Sequence, residues 1–462
     1  MPHARPLLLL VAIFVPCSLA SNAHAENQPP NIVFLLADDQ RADSLGCMGN
    51  SEVQTPNIDR LAARGVTFTD AFVTTAICMT NRACILTGQY ASRHGIWDFS
   101  KQLAPTQLAN SYPGVLRKAG YRTGFIGKWG VGKPPEDLFD YNKGFPGQGK
   151  YLFKKDGKTR HLTSVMGDQA IEFLGGCEKG QPFCLSVSFK APHVQDTRDV
   201  HAQPFPHDPA LKDLYADQEM PVPALAAPKH FATLPTFLQN SEARARWAVR
   251  FWGPARFQDS VKSYHRLIAG IDRVVGRIVK QLEEMGAAEN TVVIYTSDHG
   301  FYLGEYGLAG KWFPHDLSIH IPLIIADPRL ERTHGTKRDE LVLSIDLAPT
   351  MIQLAGRQVP DVVQGKSLLP LLASDSDPNW RSDFYYEHLF EHRLIPKSEA
   401  VRDERWKYML YPEQERDNEA LYDLENDPGE TRNLIDDSTK QAELERLRQR
   451  LDEFRSQVRS EP

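Results

Sequence analysis

Apolar positions follow two periods along this chain. Asn31-Ile-Val-Phe-Leu-Leu-Ala37, Phe183 to Phe189, Val292 to Thr296 and Leu323 to Ile325 are short, nearly continuous apolar runs. A strand apolar on both sets of alternating positions must be covered on both faces, so these runs predict interior strands of a sheet. Between them the period lengthens to that of a helix. From Val261 to Met285, residues Val261, Tyr264, Leu267, Ile268, Ile271, Val274, Val275, Ile278 and Leu282 fall on one face. Thr55-Pro56 predicts an N-cap followed by proline at the first helical position, and Gly65 closes that helix. Strands alternating with helices predict an α/β fold, a mostly parallel central sheet flanked by helices.

The pattern changes near Leu372-Ala-Ser-Asp-Ser-Asp-Pro378, a polar stretch that reads as a linker. Beyond it, Phe384 to Glu387 and Arg405 to Tyr411 predict strands, and Gln441 to Val458 a charged amphipathic helix. The expected division is a larger α/β domain over 26–371 and a smaller C-terminal α+β domain over 379–462. Residues 1–25 are expected to be a signal peptide: His3 and Arg5 precede a nine-residue apolar run, Leu7 to Val15, and Ala23-His24-Ala25 offers small residues before a cut at Glu26. That run is half of what a bilayer requires, and no other stretch is long and apolar enough to span. The expected location is therefore secreted or periplasmic, with no membrane span.

Of 462 residues, 41% are hydrophobic and 24% charged, which suits a soluble globular protein. The net charge of −6 gives no general attraction to nucleic acid, so any grip on an anionic ligand must come from a few local cations. Five cysteines remain after the signal, Cys47, Cys78, Cys84, Cys177 and Cys184. An odd number in an oxidising compartment leaves at least one without an internal partner. Cys177 and Cys184 are close enough in sequence to close a short loop.

Ligands of open α/β sheets bind at the carboxyl ends of the strands. Two such ends carry acids here: Asp38-Asp39 after the first run, and Ser297-Asp298-His299-Gly300 after Val292 to Thr296. Three carboxylates and an imidazole at one edge would repel each other without a cation, and an oxygen-rich set suits calcium or magnesium. In Cys78-Met-Thr-Asn-Arg82-Ala-Cys-Ile-Leu-Thr-Gly88, a polar turn leads into a short apolar helix ended by glycine. Cys78 would then lie at a helix N-terminus, where free N–H groups attract an anion and depress a thiol pKa. Arg82 could offer a planar fork to the same anion.

Cys78-x-x-x-Arg82-x-x-x-Leu86-Thr87-Gly88 resembles the signature of the sulfatase family, within the alkaline-phosphatase-like superfamily. Further blocks follow in the family's order: Asn31 to Asp39, Thr55 to Leu61, Gly127-Lys128-Trp129, Ala191-Pro192-His193, Ser297 to Gly300, Lys311, Ile321 to Ile324, Asp346 to Thr350 and Leu421 to Pro428. The resemblance implies an enzyme that hydrolyses a sulfate monoester, on a sulfated saccharide or other small sulfated molecule. It implies that Cys78 is oxidised to formylglycine by a formylglycine-generating enzyme. It further implies that Asp38, Asp39, Asp298 and His299, with the modified Cys78, hold calcium in preference to magnesium. Arg82 and Lys128 would hold the aldehyde hydrate; His193 and Lys311 would bind sulfate and stabilise the departing alkoxide. The hydrate has two hydroxyls, so one can attack sulfur and the other, once deprotonated, can expel sulfate and regenerate the aldehyde.

Two positions depart from the family pattern. Thr80 stands where the maturation motif commonly has proline, and Gly130 where a histidine after Lys128-Trp129 normally helps to release sulfate. The expectation is that His161 or His94 substitutes, or that sulfate release is slow. His388 and His392 in the C-terminal part would reach the leaving group, His315 and His320 could line the pocket near Lys311, and Asp59 and Arg60 would stabilise their helix. Two alternatives stay open: a phosphonate monoester or phosphodiester hydrolase of the same superfamily, and a catalytically impaired sulfated-glycan-binding protein.

Overall fold

A computed structural model describes Met1 and residues 29–155, 157–374 and 377–460 of the chain; the expected signal peptide lies outside the described residues apart from Met1. The eight-stranded main sheet runs in the order Thr336–Arg338, Val66–Phe68, Leu323–Ala326, Thr291–Ser297, Asn31–Asp38, Phe183–Pro192, Arg122–Lys128, Tyr141–Phe145. The five strands from Thr291–Ser297 to Tyr141–Phe145 are parallel, and Leu323–Ala326 is antiparallel to both its neighbours. The expected α/β architecture holds.

Asn31–Asp38 lies in the middle and shows why the run had to be apolar on both faces. Ile32, Phe34 and Leu36 enter one apolar cluster, and Val33, Leu35 and Ala37 enter the other. The second cluster is closed by the helices Leu162–Gly175 and Pro254–Glu284, the latter through the face read from the sequence. The first is closed by the helices Cys78–Thr87, Tyr112–Lys118 and Leu347–Leu354. Each fully buried Leu, Ile, Val or Phe side chain contributes about 1.5–3 kcal/mol, so a strand with two buried faces is held far more firmly than its hydrogen bonds alone would hold it.

The first cluster continues into a four-stranded antiparallel sheet at the C-terminus, Asp383–His388, Ser398–Asp403, Trp406–Leu410 and Glu419–Asp423. The helix Gln441–Arg459 covers it with Leu444, Leu447, Leu451, Phe454 and Val458.

One local expectation is refined and one corrected. Thr55 holds the N-cap position of the helix Pro56–Ala63 as expected, but its side chain makes no capping bond: its Oγ1 accepts from Gly46 N (2.9 Å) and donates to Asp59 Oδ1 (3.0 Å), fastening a loop instead. No disulfide joins Cys177 and Cys184, which are both free. Cys184 lies on an interior strand and packs into the first cluster, whereas Cys177 packs against the second, so the sheet stands between them.

Candidate active site

The carboxyl ends of the parallel strands gather the acids. A regular strand would send Asp38 and Asp39 to opposite faces. Asp39 instead takes a left-handed backbone (φ 68°), a conformation that aspartate tolerates better than most residues, and both carboxylates turn to the same point. Tyr264 Oη holds the turn by donating to the Asp39 carbonyl (2.8 Å), and Asp298 Oδ1 accepts from Asp39 N (3.1 Å). On the other side the register jumps: Leu36 faces Ser188, but Asp38 faces Pro192. The bulge turns the neighbouring strand out of the sheet, and His193 Nε2 comes to 3.6 Å from Asp39 Oδ2.

The helix Cys78–Thr87 meets this edge. It is buried throughout, and Gly88 stops it in the left-handed conformation (φ 66°). Cys78 is its first residue, and its Sγ lies 3.3 Å from Asp38 Oδ1, 3.2 Å from His299 Nε2 and 3.4 Å from Lys311 Nζ. The ligand atoms of Asp38, Cys78, Asp298 and His299 all lie within 4.8 Å of one another, as do those of Asp38, Asp39, Cys78 and His193.

Three buried cations face three buried carboxylates. Lys311 Nζ donates to Asp39 Oδ1 (2.6 Å) and Lys128 Nζ to Asp38 Oδ2. Arg82 Nε donates to Asp298 Oδ2 (3.0 Å), and its Nη1 reaches the Lys128 carbonyl (2.9 Å) and Ser188 Oγ. Burial works against ionisation of Asp38, but Lys128, His193, Arg82 and Lys311 together hold its carboxyl well below the usual range. Burial carries Asp39 the other way, upward, despite Lys311 and His299. Burial, then Lys311, pushes His193 well down, so its imidazole is neutral.

One expectation about Cys78 fails. Burial and the neighbouring Asp38 push the thiol up to about 12, against the lowering by Lys128 and Lys311. The unmodified side chain is therefore a protonated thiol at neutral pH and a poor nucleophile.

The acidic cluster fits a hard divalent cation. Its donors are carboxylate oxygens with one imidazole, and Asp39 Oδ2 is buried without a hydrogen-bond partner. Such an orphan oxygen is costly unless something else binds it.

The other histidines are placed differently. Gly130 has φ 79°, and a Cβ there would lie 2.6 Å from Arg82 Cδ, so this backbone leaves no room for a histidine side chain. Neither expected substitute touches Cys78. His94 Nε2 meets Cys84 Sγ (3.3 Å) and its Nδ1 accepts from Ile96 N. His161 caps the helix Leu162–Gly175 through Nδ1, and its Nε2 meets the Pro206 carbonyl (3.0 Å). His315 bonds Tyr302 Oη (2.7 Å) inside the core, and His320 bonds the Thr69 carbonyl (2.6 Å) and stacks on Phe72. His392 stacks on Phe390, and its Nδ1 accepts from Leu394 N. His388 is fully buried, both its ring nitrogens lack partners, and it lies in electrostatic reach of His299. Asp59 bonds Cys47 N (2.8 Å), and Arg60 bonds only Asn57. Sequence reasoning missed Ser188 and gave Asn81 no role; Asn81 Nδ2 bonds the Asp298 carbonyl and its Oδ1 accepts from Ser344 Oγ (2.7 Å). Two serines in the otherwise apolar run Phe183 to Phe189 were the available signal.

The acids and cations that converge on Cys78 at the strand ends form a cluster able to hold a metal ion, on a fold of the alkaline-phosphatase-like kind. The sulfatase family model matches residues 30–357, and the chain belongs to that family, the sulfuric ester hydrolases. A second model, the C-terminal part of N-sulphoglucosamine sulphohydrolase, matches residues 304–457. The chain is similar to an N-acetylglucosamine-6-O-sulfatase of Bacteroides thetaiotaomicron, 29% identical over 519 aligned positions that cover 98% of this chain and 91% of that one. It is also similar to the N-acetylglucosamine-6-sulfatase of Homo sapiens, 28% identical over 86% of this chain and 73% of that one. A solved structure in complex with its substrate D-glucosamine-2-N,6-O-disulfate superposes with a TM-score of 0.78 at 26% identity, covering 93% of this chain and 98% of that one. Among the described residues no helix is long and apolar enough to cross a membrane.

Proposed function

We propose that this protein removes a sulfate ester from a saccharide, with 6-O-sulfated glucosamine as the leading candidate. The observation that carries the reading is the meeting of Asp38, His299 and Lys311 around Cys78 Sγ at 3.2–3.4 Å. The substrate class is supported by the two 6-sulfatase relatives and by the disulfated glucosamine bound to the structural neighbour. Cys78, converted to formylglycine by a generating enzyme, supplies the nucleophile as its hydrate. Asp38, Asp39, Asp298 and His299 would hold calcium, which lowers the pKa of a bound hydroxyl and neutralises sulfate oxygens. The expected setting is outside the cytoplasm.

A sulfate monoester is an anion, so its approach to an oxygen nucleophile needs cations placed beforehand. Arg82 and Lys128, held by Asp298 and Asp38, would orient the hydroxyls of residue 78. Lys311, at 3.4 Å from Sγ, would meet the bridging oxygen as the alcohol leaves. His193, neutral and anchored through Nδ1 to the Val194 carbonyl (2.7 Å), presents Nε2 to the same space. With position 130 closed to histidine, ring nitrogens of His193 and His299 lie within 4.8 Å of Cys78 Sγ, and His193 is the base assigned to take the hydrate proton.

Mass spectrometry of the peptide containing Cys78 should show an aldehyde, and Cys78→Ala should lose at least about 10⁴ in kcat, the scale of a lost nucleophile. An intact thiol in purified, active protein would end the reading, as would faster turnover of a phosphodiester than of the sulfate monoester of the same phenol.

A further inference from the structure

One hydroxyl joins the two segments that face each other across residue 78. Tyr386 lies on the strand Asp383–His388 of the C-terminal sheet and is fully buried. Its Oη donates to the Trp312 carbonyl (2.6 Å) and accepts from Ala76 N (3.3 Å). Trp312 directly follows Lys311, and Ala76 stands two residues before Cys78. Neither group has another hydrogen-bond partner among the described residues. The strand adds a further tie to the same segment, from Glu387 N to the Thr74 carbonyl (2.9 Å).

The turn that Tyr386 holds is a strained one. Gly310 has φ 112° and Trp312 has φ 91°, so Lys311 sits between two left-handed residues, the second a bulky aromatic. Such a backbone costs about 1–3 kcal/mol and persists only where its surroundings fix it. Here the fixed peptide is the one whose carbonyl Tyr386 binds.

We propose that Tyr386 is a positioning residue for Lys311: its hydroxyl ties the Lys311 turn to the Cys78 segment and so sets the reach of the ammonium to the leaving oxygen. The inference rests on the role given to Lys311 above. Without the hydroxyl, the Ala76 N–H and the Trp312 carbonyl are left buried and unpaired, the turn relaxes, and Lys311 Nζ leaves its place. The ring, the metal ligands and the nucleophile stay where they are.

A misplaced Lys311 matters most when the leaving alcohol is poor. Tyr386→Phe should lower kcat on a 6-sulfated glucosamine roughly 10- to 100-fold, the loss expected of a small displacement at a reacting centre. With 4-nitrophenyl sulfate, whose phenolate needs little help, the fall should be under about threefold, and KM should stay within about twofold for both. Aldehyde content, checked by mass spectrometry, should equal that of the parent. Tyr386→Phe placed on Lys311→Ala should cost nothing more, because the two act through one group. Equal losses on both substrates, full activity, or additive losses in the double variant would each overturn the inference. If Lys311→Ala shows no selectivity for the poor leaving group, the role of Lys311 falls and this inference with it; a selective Lys311→Ala beside an unselective Tyr386→Phe overturns the inference alone. Should Tyr386→Phe fail to unfold cooperatively, Tyr386→Met, which also removes the hydroxyl, must show the same substrate selectivity or the inference is wrong.

Discussion

Two of the buried clusters of charge in this molecule are finished differently. Beneath the C-terminal sheet, Lys407 is fully buried and donates to Asp316, to Glu430 Oε1 (2.7 Å) and to the Pro314 carbonyl (3.1 Å). Glu430 Oε2 accepts from Asp316 N (2.7 Å), and Arg402 meets both oxygens of Asp316 (3.3 Å each). Every charged atom there has its partner. At the strand ends three acids face three cations, yet Asp39 Oδ2 has no hydrogen bond. Native interiors rarely leave such groups unmet, so a closed cluster reads as architecture and an open one as a place kept for something else.

Breaking the closed cluster should produce the largest stability loss. Lys407→Met leaves Glu430 without its cation in the interior, while Asp316 keeps Arg402, and removing one member of a buried ion network typically costs about 3–5 kcal/mol. Denaturant unfolding measures it, and a loss below about 1 kcal/mol would mean the network is not closed as described.

Glu387 is an intermediate case, fully buried with Oε1 bonded to Ser92 N (2.7 Å) and Oε2 bonded to nothing. Burial pushes its carboxyl up to about 7, from the ordinary 4.5. Between those values the folded state keeps a proton that the unfolded chain has lost, so its stability falls as the pH rises through this window. Glu387→Gln removes that dependence. Its advantage in unfolding free energy over the parent should grow from pH 5 to pH 8, to no more than about 3 kcal/mol at 1.4 kcal/mol per pKa unit. A difference that stays constant with pH would contradict the assignment.

The open cluster should respond to its ion instead. Calcium at a hundred times its Kd should stabilise the parent by about 2.7 kcal/mol, by mass action on the folded state. Asp39→Asn should lose most of that shift while still folding, read as Tm with calcium and with chelator. A variant with an undiminished shift would remove Asp39 from the ion's ligands.

What was legible follows from where information is dense. The interior strands and the long helix could be read because burial forces their composition: Asn31–Asp38 feeds two cores, and one face of Pro254–Glu284 packs on the sheet. The strands Tyr141–Phe145 and Thr336–Arg338 were not read because edges need little apolar surface. Arg122–Lys128, although interior, escaped because two of its seven residues are glycines that let helix and sheet approach closely. At the site, the motifs named residues that do converge, but not the means of convergence. The left-handed Asp39, the bulge before His193 and the backbone of Gly130 are set by tertiary packing and leave no periodic trace. The substitute histidines failed for that reason: proximity in a motif list says nothing about which ring nitrogen is already taken.

Asp59 gives the smallest effect and the sharpest contrast with the site acids. It stands in a block that resembles the family as closely as Asp38 and Asp39 do, yet it is spent on the fold. Its Oδ1 accepts from Cys47 N and Thr55 Oγ1, pinning the loop after the first strand to the helix Pro56–Ala63. Asp59→Ala should therefore cost about 1–2 kcal/mol, the worth of hydrogen bonds to a charged acceptor at a partly exposed position. Asp59→Asn, which keeps an acceptor oxygen, should restore about half of it. Neither should change kcat or the calcium-induced rise in Tm. A fall in either with stability unchanged would place Asp59 with the open cluster, and the distinction between acids that close a structure and acids that wait for an ion would need another criterion.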